Sequence, residues 1–61
     1  MFKVYFYVGE NCVGDSTLTF LPRREEKVKL FGTVYQVIGI MYKLEEGSHN
    51  QIEVVIALEK F

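Results

Sequence analysis

One thiol and one imidazole stand in the chain, Cys12 and His49. A thiolate nucleophile needs a base beside it and an electropositive setting. Cys12 lies in a glycine-flanked stretch with no base near it in sequence. His49 falls between Ser48 and Asn50 on a different loop, and no third residue is placed to orient the pair. No catalytic residue is assigned, and the chain is expected not to be an enzyme. One cysteine allows no intramolecular disulfide, and with one histidine it cannot complete a Cys/His zinc site. Glu45, Glu46 and Asp15 lack the alternating oxygen ligands of a calcium loop. No metal and no cofactor are expected, and the acidic pair reads more plainly as a solvated turn.

Two groups of residues could bind rather than react. Arg23, Arg24, Lys27 and Lys29 form the densest local positive charge. With Tyr5 and Tyr7 exposed, such a cluster could hold nucleic acid, cations on phosphates and rings stacked on bases. Glu25 and Glu26 sit inside the cluster and cancel half of it, so a solvated charged loop is the plainer alternative. The second group is aromatic. Four tyrosines and five phenylalanines are too many for the core of 61 residues, so some rings must reach the surface. Tyrosine offers large contact area with a polar handle and is enriched at protein interfaces. Tyr5, Tyr7 and Tyr35, with Val55 and Ala57, are the candidate protein-binding residues. The opposing reading is that the rings cap the ends of a barrel.

The elements that must position these residues are strands. Phe2 to Val8 alternates, with Phe2, Val4, Phe6 and Val8 on one face and Lys3, Tyr5 and Tyr7 on the other; period two with aromatic and β-branched residues marks a strand. Gly9 to Asp15 holds two glycines, an Asn and an Asp and is expected to be a loop. Ser16 to Leu21 reads as a second strand ended by Pro22. Pro22 to Lys27 is a charged connection, or a single helical turn with proline in the tolerated first position. Val28 and Leu30 then point inward, and Lys27 and Lys29 outward.

Phe31-Gly32-Thr33 is expected to turn the chain, with glycine free to take positive φ. The fourth strand, Thr33 to Lys43, is apolar on both faces: Val34, Ile38, Ile40 and Tyr42 on one, Tyr35, Val37 and Met41 on the other. Gly39 interrupts it, and an interior glycine in a strand marks a bulge or bend. Glu45 to Asn50 is a polar connection. The last strand runs from Gln51 to Lys60, with Ile52, Val54, Ile56 and Leu58 inward and Val55 and Ala57 outward.

The fold class that follows is all-β: one domain over residues 1–61, a five-stranded antiparallel small barrel, since closure removes exposed edges. The runner-up is an open meander with a short helix over Pro22 to Lys27. A chain this short buries only about 60% of its unfolded surface, so nearly every strand must contribute to the core. A net charge of -1 gives no global attraction to nucleic acid or to an anionic membrane. No apolar run approaches the roughly 18 residues of a spanning helix, and strand alternation from Phe2 leaves no room for a signal peptide. The expectation is a complete, small cytoplasmic protein.

The segment Leu21-Pro22-Arg23, Glu26-Lys27-Val28-Lys29-Leu30 and Gly32-Thr33-Val34-Tyr35-Gln36-Val37 resembles small SH3-like barrel proteins of bacteria and phages. In these a proline-led turn enters a strand with an acidic-x-Val signature, and a glycine turn leads to a strand with Tyr-x-Val. The resemblance covers about a quarter of the chain and departs at Glu25, where the pattern has a glycine. It implies an SH3-like fold and a phage or mobile-element origin, but it transfers no site residue. The function expected is a protein-interaction module, an accessory protein acting on a host protein. The alternative is nucleic-acid binding through Arg23, Arg24, Lys27 and Lys29. Long strands with apolar outward residues also predict a homodimer, because natural monomers blunt such surfaces with charge or proline.

Overall fold

The computed structural model describes residues 1–43 and 52–61. The expected polar connection from Glu45 to Asn50, with His49, lies outside the described residues, as does Gln51. Five strands form one sheet: β1 (Phe2–Val8), β2 (Asn11–Leu18), β3 (Lys27–Leu30), β4 (Thr33–Lys43) and β5 (Ile52–Lys60). They are ordered β2-β1-β5-β4-β3. The all-β expectation holds, but the sheet is not antiparallel throughout. β1 and β5 pair in parallel, Phe2 opposite Ile52 through Val8 opposite Leu58. A parallel pair needs a long crossover, and here the crossover is everything between the two strands: the rest of the β1–β2 hairpin and the β3–β4 hairpin.

The sheet curls into a half-barrel. Its concave side holds the core of Val4, Phe6, Val37, Val54, Ile56 and Leu58, all buried. Phe2, Val8, Leu18, Val28, Leu30, Tyr35 and Ile40 pack around them. β5 is central, and its alternate residues Val55 and Ala57 are themselves half-buried.

Two bulges shape the curl. In β2, Phe6 lies opposite Gly14 and Tyr7 opposite Cys12, which leaves Val13 as the extra residue. In β4, Val37 lies opposite Leu58 and Gly39 opposite Ala57, which leaves Ile38. A bulge adds one residue and exchanges the faces beyond it. Tyr35 and Val37 therefore point inward before the bulge, and Ile40 after it. The expected break at Gly39 is thus present one residue earlier, and the two sequence-derived faces of the fourth strand are each split between inside and outside.

The second strand differs from expectation. The turn is only Gly9-Glu10, and Gly9, with φ +60, stands first of the two residues, the type II′ hairpin pattern. β2 then runs over Asn11 to Leu18, through the stretch expected to be a loop, and stops short of Leu21. It is an edge strand, so poor strand formers such as Asn11, Gly14 and Asp15 are tolerated there. Pro22 to Lys27 is not a helix. Glu26 N–H donates to the Arg23 carbonyl at 3.1 Å, and Glu25 has φ +75, the type II turn arrangement. Glu25 N–H and Val37 N–H bond this turn to β4, through the carbonyls of Val37 and Glu26 respectively.

Candidate functional site

The outer, convex face is laid out in cross-strand rows. Tyr5 of β1 stands beside Val55 of β5, and Val55 beside Met41 of β4; in the next row Tyr7 stands beside Ala57, and Ala57 beside Gly39. Together these six residues make an apolar band across the three middle strands. Tyr5, Tyr7, Val55 and Ala57 are half-buried by one another, and Met41 is exposed. Gly39 and Ala57 are the two smallest residues of the band, and a side chain at Gly39 would begin 3.8 Å from Ala57 Cβ, an ordinary contact distance.

Ion pairs close the band on one side. Lys3 Nζ lies 3.1 Å from Asp15 Oδ1, and Lys43 Nζ lies 3.7 Å from Glu53 Oε1. The hydrogen bond to Asp15 holds the Lys3 ammonium above the usual lysine value; burial opposes it, and the charges of Asp15, Tyr5 and Glu53 add to the rise. Lys3 also lies over the Tyr5 ring at 5.7 Å. The other side of the band ends at Gln36 and Glu59.

In comparison with known proteins, no family model, curated protein or solved structure matches this chain. The site is therefore read from its geometry alone.

Of the five expected protein-binding residues, Tyr5, Tyr7, Val55 and Ala57 share the outer band. Tyr35 does not, because before the bulge its side of β4 faces the core. Met41 and Gly39 complete the band; their membership depends on the bulge at Ile38, which reverses the alternation read from sequence. Cys12 is exposed beside the band, with its thiol directed at the Gly14 carbonyl. Among the described residues no three of His, Cys, Asp and Glu are grouped as metal ligands would be.

Arg23 and Arg24 are exposed on the type II turn, and Lys27 and Lys29 are exposed on the outer side of β3. Lys27 Nζ sits 4.5 Å above the Phe61 ring. These cations line one edge of the sheet. Tyr5 and Tyr7 are on β1, three strands away, a separation of about 14 Å at normal strand spacing. Lys27 and Lys29 thus share the outer side of the sheet with Tyr5 and Tyr7, with β5 and β4 between them.

Three large apolar residues stand out as exposed beyond the band: Phe20 at 74%, Phe31 at 89% and Phe61 at 72%. The sequence marks Phe31 only as part of a turn. It occupies the first central position of the β3–β4 hairpin with φ +49, followed by Gly32 at φ +83. Both positive values make a type I′ turn, where Asn is the usual first residue. A bulky side chain in that region is an outlier. Its ring reaches across to β2, 3.4 Å from where a Gly14 side chain would begin.

Proposed function

We propose that this protein is a non-enzymatic interaction module that works as a homodimer joined through the outer face of its sheet. One observation carries the reading: the band of Tyr5, Tyr7, Met41, Val55 and Ala57, continuous across three strands and bounded by charge on both sides. A two-fold axis through the band would set the Tyr7 ring of one copy over the small Gly39 and Ala57 of the other. Isologous contacts need such self-complementarity on one patch. A standard interface buries ~800 Å² on each partner, and the molecule is 36 × 23 Å along its two longer axes, so such a dimer would use most of its outer face. A small domain gains stability by this burial through mass action.

Glu25, where the chain departs from the SH3-like pattern, holds φ +75, a backbone conformation that glycine adopts readily. SH3-like barrels contact proteins, peptides or nucleic acids, and the resemblance does not choose among these.

Sedimentation equilibrium at micromolar concentration tests the dimer. Wild type is expected at twice 7.1 kDa and Val55→Lys at 7.1 kDa with an unchanged strand spectrum. A wild-type mass of one chain at every concentration rules the proposal out.

A further inference from the structure

We propose that the open edge of β3 accepts an extended peptide of alternating acidic and apolar residues as a sixth strand. Among the described residues no strand pairing closes the half-barrel, though the Phe31 ring reaches across to β2. β2 and β3 are its two edges, and between them on the concave side lies an apolar groove of about 390 Å³. Phe6, Leu18, Phe20, Pro22, Val28 and Leu30 supply its apolar walls. Phe20, mostly exposed, stands on the rim. A groove of this kind beside a free strand edge can receive alternate side chains of an added strand.

The backbone of β3 is set to receive a strand. In a two-residue hairpin the residues flanking the turn, Leu30 and Thr33, exchange both bonds, and in an antiparallel ladder every second pair does so. Val28 and Tyr35 are the next such pair. The orientation is fixed independently, because Val34 directs its carbonyl the other way, to Phe61 N–H at 3.1 Å. Lys27 and Lys29 therefore turn their N–H and C=O groups toward the open edge. A strand laid there would bond to the main chain of both, the strand-addition mode of peptide recognition.

Charge decides what kind of strand. The side chains of Lys27 and Lys29 lie on the outer face, where they would meet alternate residues of an added strand; opposite charges in such pairs attract and like charges repel. Arg23 and Arg24 add to the field from the adjoining turn. Glu26 is engaged there, accepting a hydrogen bond from Arg23 N–H, and Glu25 is the remaining anion. The edge as a whole is positive by two: four cations against Glu25 and Glu26. A second copy pairing β3 against β3 would set lysine against lysine, so this edge selects against itself. The occupant has acidic residues at the positions facing outward and apolar residues at those facing the groove.

The probe is a fluorescein-labelled peptide of five Glu-Val repeats with blocked ends, followed by anisotropy. Binding is expected, at least tenfold weaker when Lys replaces Glu in the peptide and at least tenfold weaker to Lys29→Glu. Hydrogen exchange at the amides of Lys27 and Lys29 should slow with peptide bound. Lys29→Pro, which removes one edge donor but keeps the groove, should also weaken binding. Equal binding of the two peptides, unchanged exchange at both amides, or no binding at millimolar peptide would overturn the proposal. So would a thymidine decamer that binds this edge while the peptide does not. Val55→Lys, changed on the other face, separates this proposal from the dimer: peptide binding lost there but kept in Lys29→Glu would place the peptide on the outer band and refute the edge.

Discussion

Two residues are held in backbone conformations that their side chains disfavour, and both sit in turns that set the β3 edge. Glu25 has φ +75 and Phe31 has φ +49. For a residue with a Cβ, the left-handed region costs on the order of 1 kcal/mol. Glu25 makes its bond to Val37 through the backbone alone, and glycine would keep that bond. The extra chain entropy of glycine offsets about 0.4–1 kcal/mol of that relief, so Glu25→Gly is expected to stabilise the fold by at most about 0.6 kcal/mol. In a domain this small that raises Tm by about 2 to 4 degrees at most, and a calorimetric scan reads it. A lower Tm would show that the Glu25 side chain contributes something its exposure does not reveal. Neither value was legible in the sequence: a glutamate does not signal a left-handed backbone, and composition marks a turn at Gly32 without saying that its neighbour Phe31 must also take positive φ.

At the scale of the strands, periodicity placed β1, β3 and β4 well and misplaced β2. β1 has clean alternation, and its bounds are those the sequence suggests. β2 has Gly14 and Asp15 in its middle, residues that favour turns by local propensity. Pairing to β1 and the bulge at Val13 override that preference on an edge where little is buried. In β4 the bulge at Ile38 hides a change of face that no alternation can show. Ile38 and Ile40 are two apart and belong to one face by sequence. In the fold Ile38 is 42% exposed, while Ile40 packs against the core opposite Ile56. Truncating each separates the two views. Ile40→Ala is expected to cost about 2 kcal/mol or more, from lost transfer energy and the cavity left behind. Ile38→Ala should cost under about 1 kcal/mol, close to an ordinary surface change. Urea melts with equal losses at both positions would mean that the bulge does not redirect the strand.

The whole molecule is where the sequence was least informative. Alternation tells which residues face inward, not which way two strands run, so the first and last strands were expected to fit an antiparallel barrel. Their parallel pairing places the ends of the chain at opposite ends of the sheet. Phe2 is level with Ile52, and Val8 with Leu58. Met1 thus lies at the β5 start, while Phe61 lies nine residues past Ile52. At about 3.3 Å per residue the gap is on the order of 30 Å, comparable to the 36 Å long axis of the molecule. A circular permutant opened at the exposed Gly9-Glu10 turn tests this directly. A linker of three residues from Phe61 to Met1 reaches at most about 11 Å, so that permutant should not form the β1–β5 pair and should lose its cooperative melt. A flexible linker of sixteen residues can span the distance, and its permutant should keep the strand spectrum and the wild-type state of association. Had the two strands been antiparallel neighbours with level ends, the short linker would suffice. A folded, wild-type-like permutant with three linker residues would therefore refute the parallel arrangement on which the central position of β5, the outer band and the open β2 and β3 edges all depend.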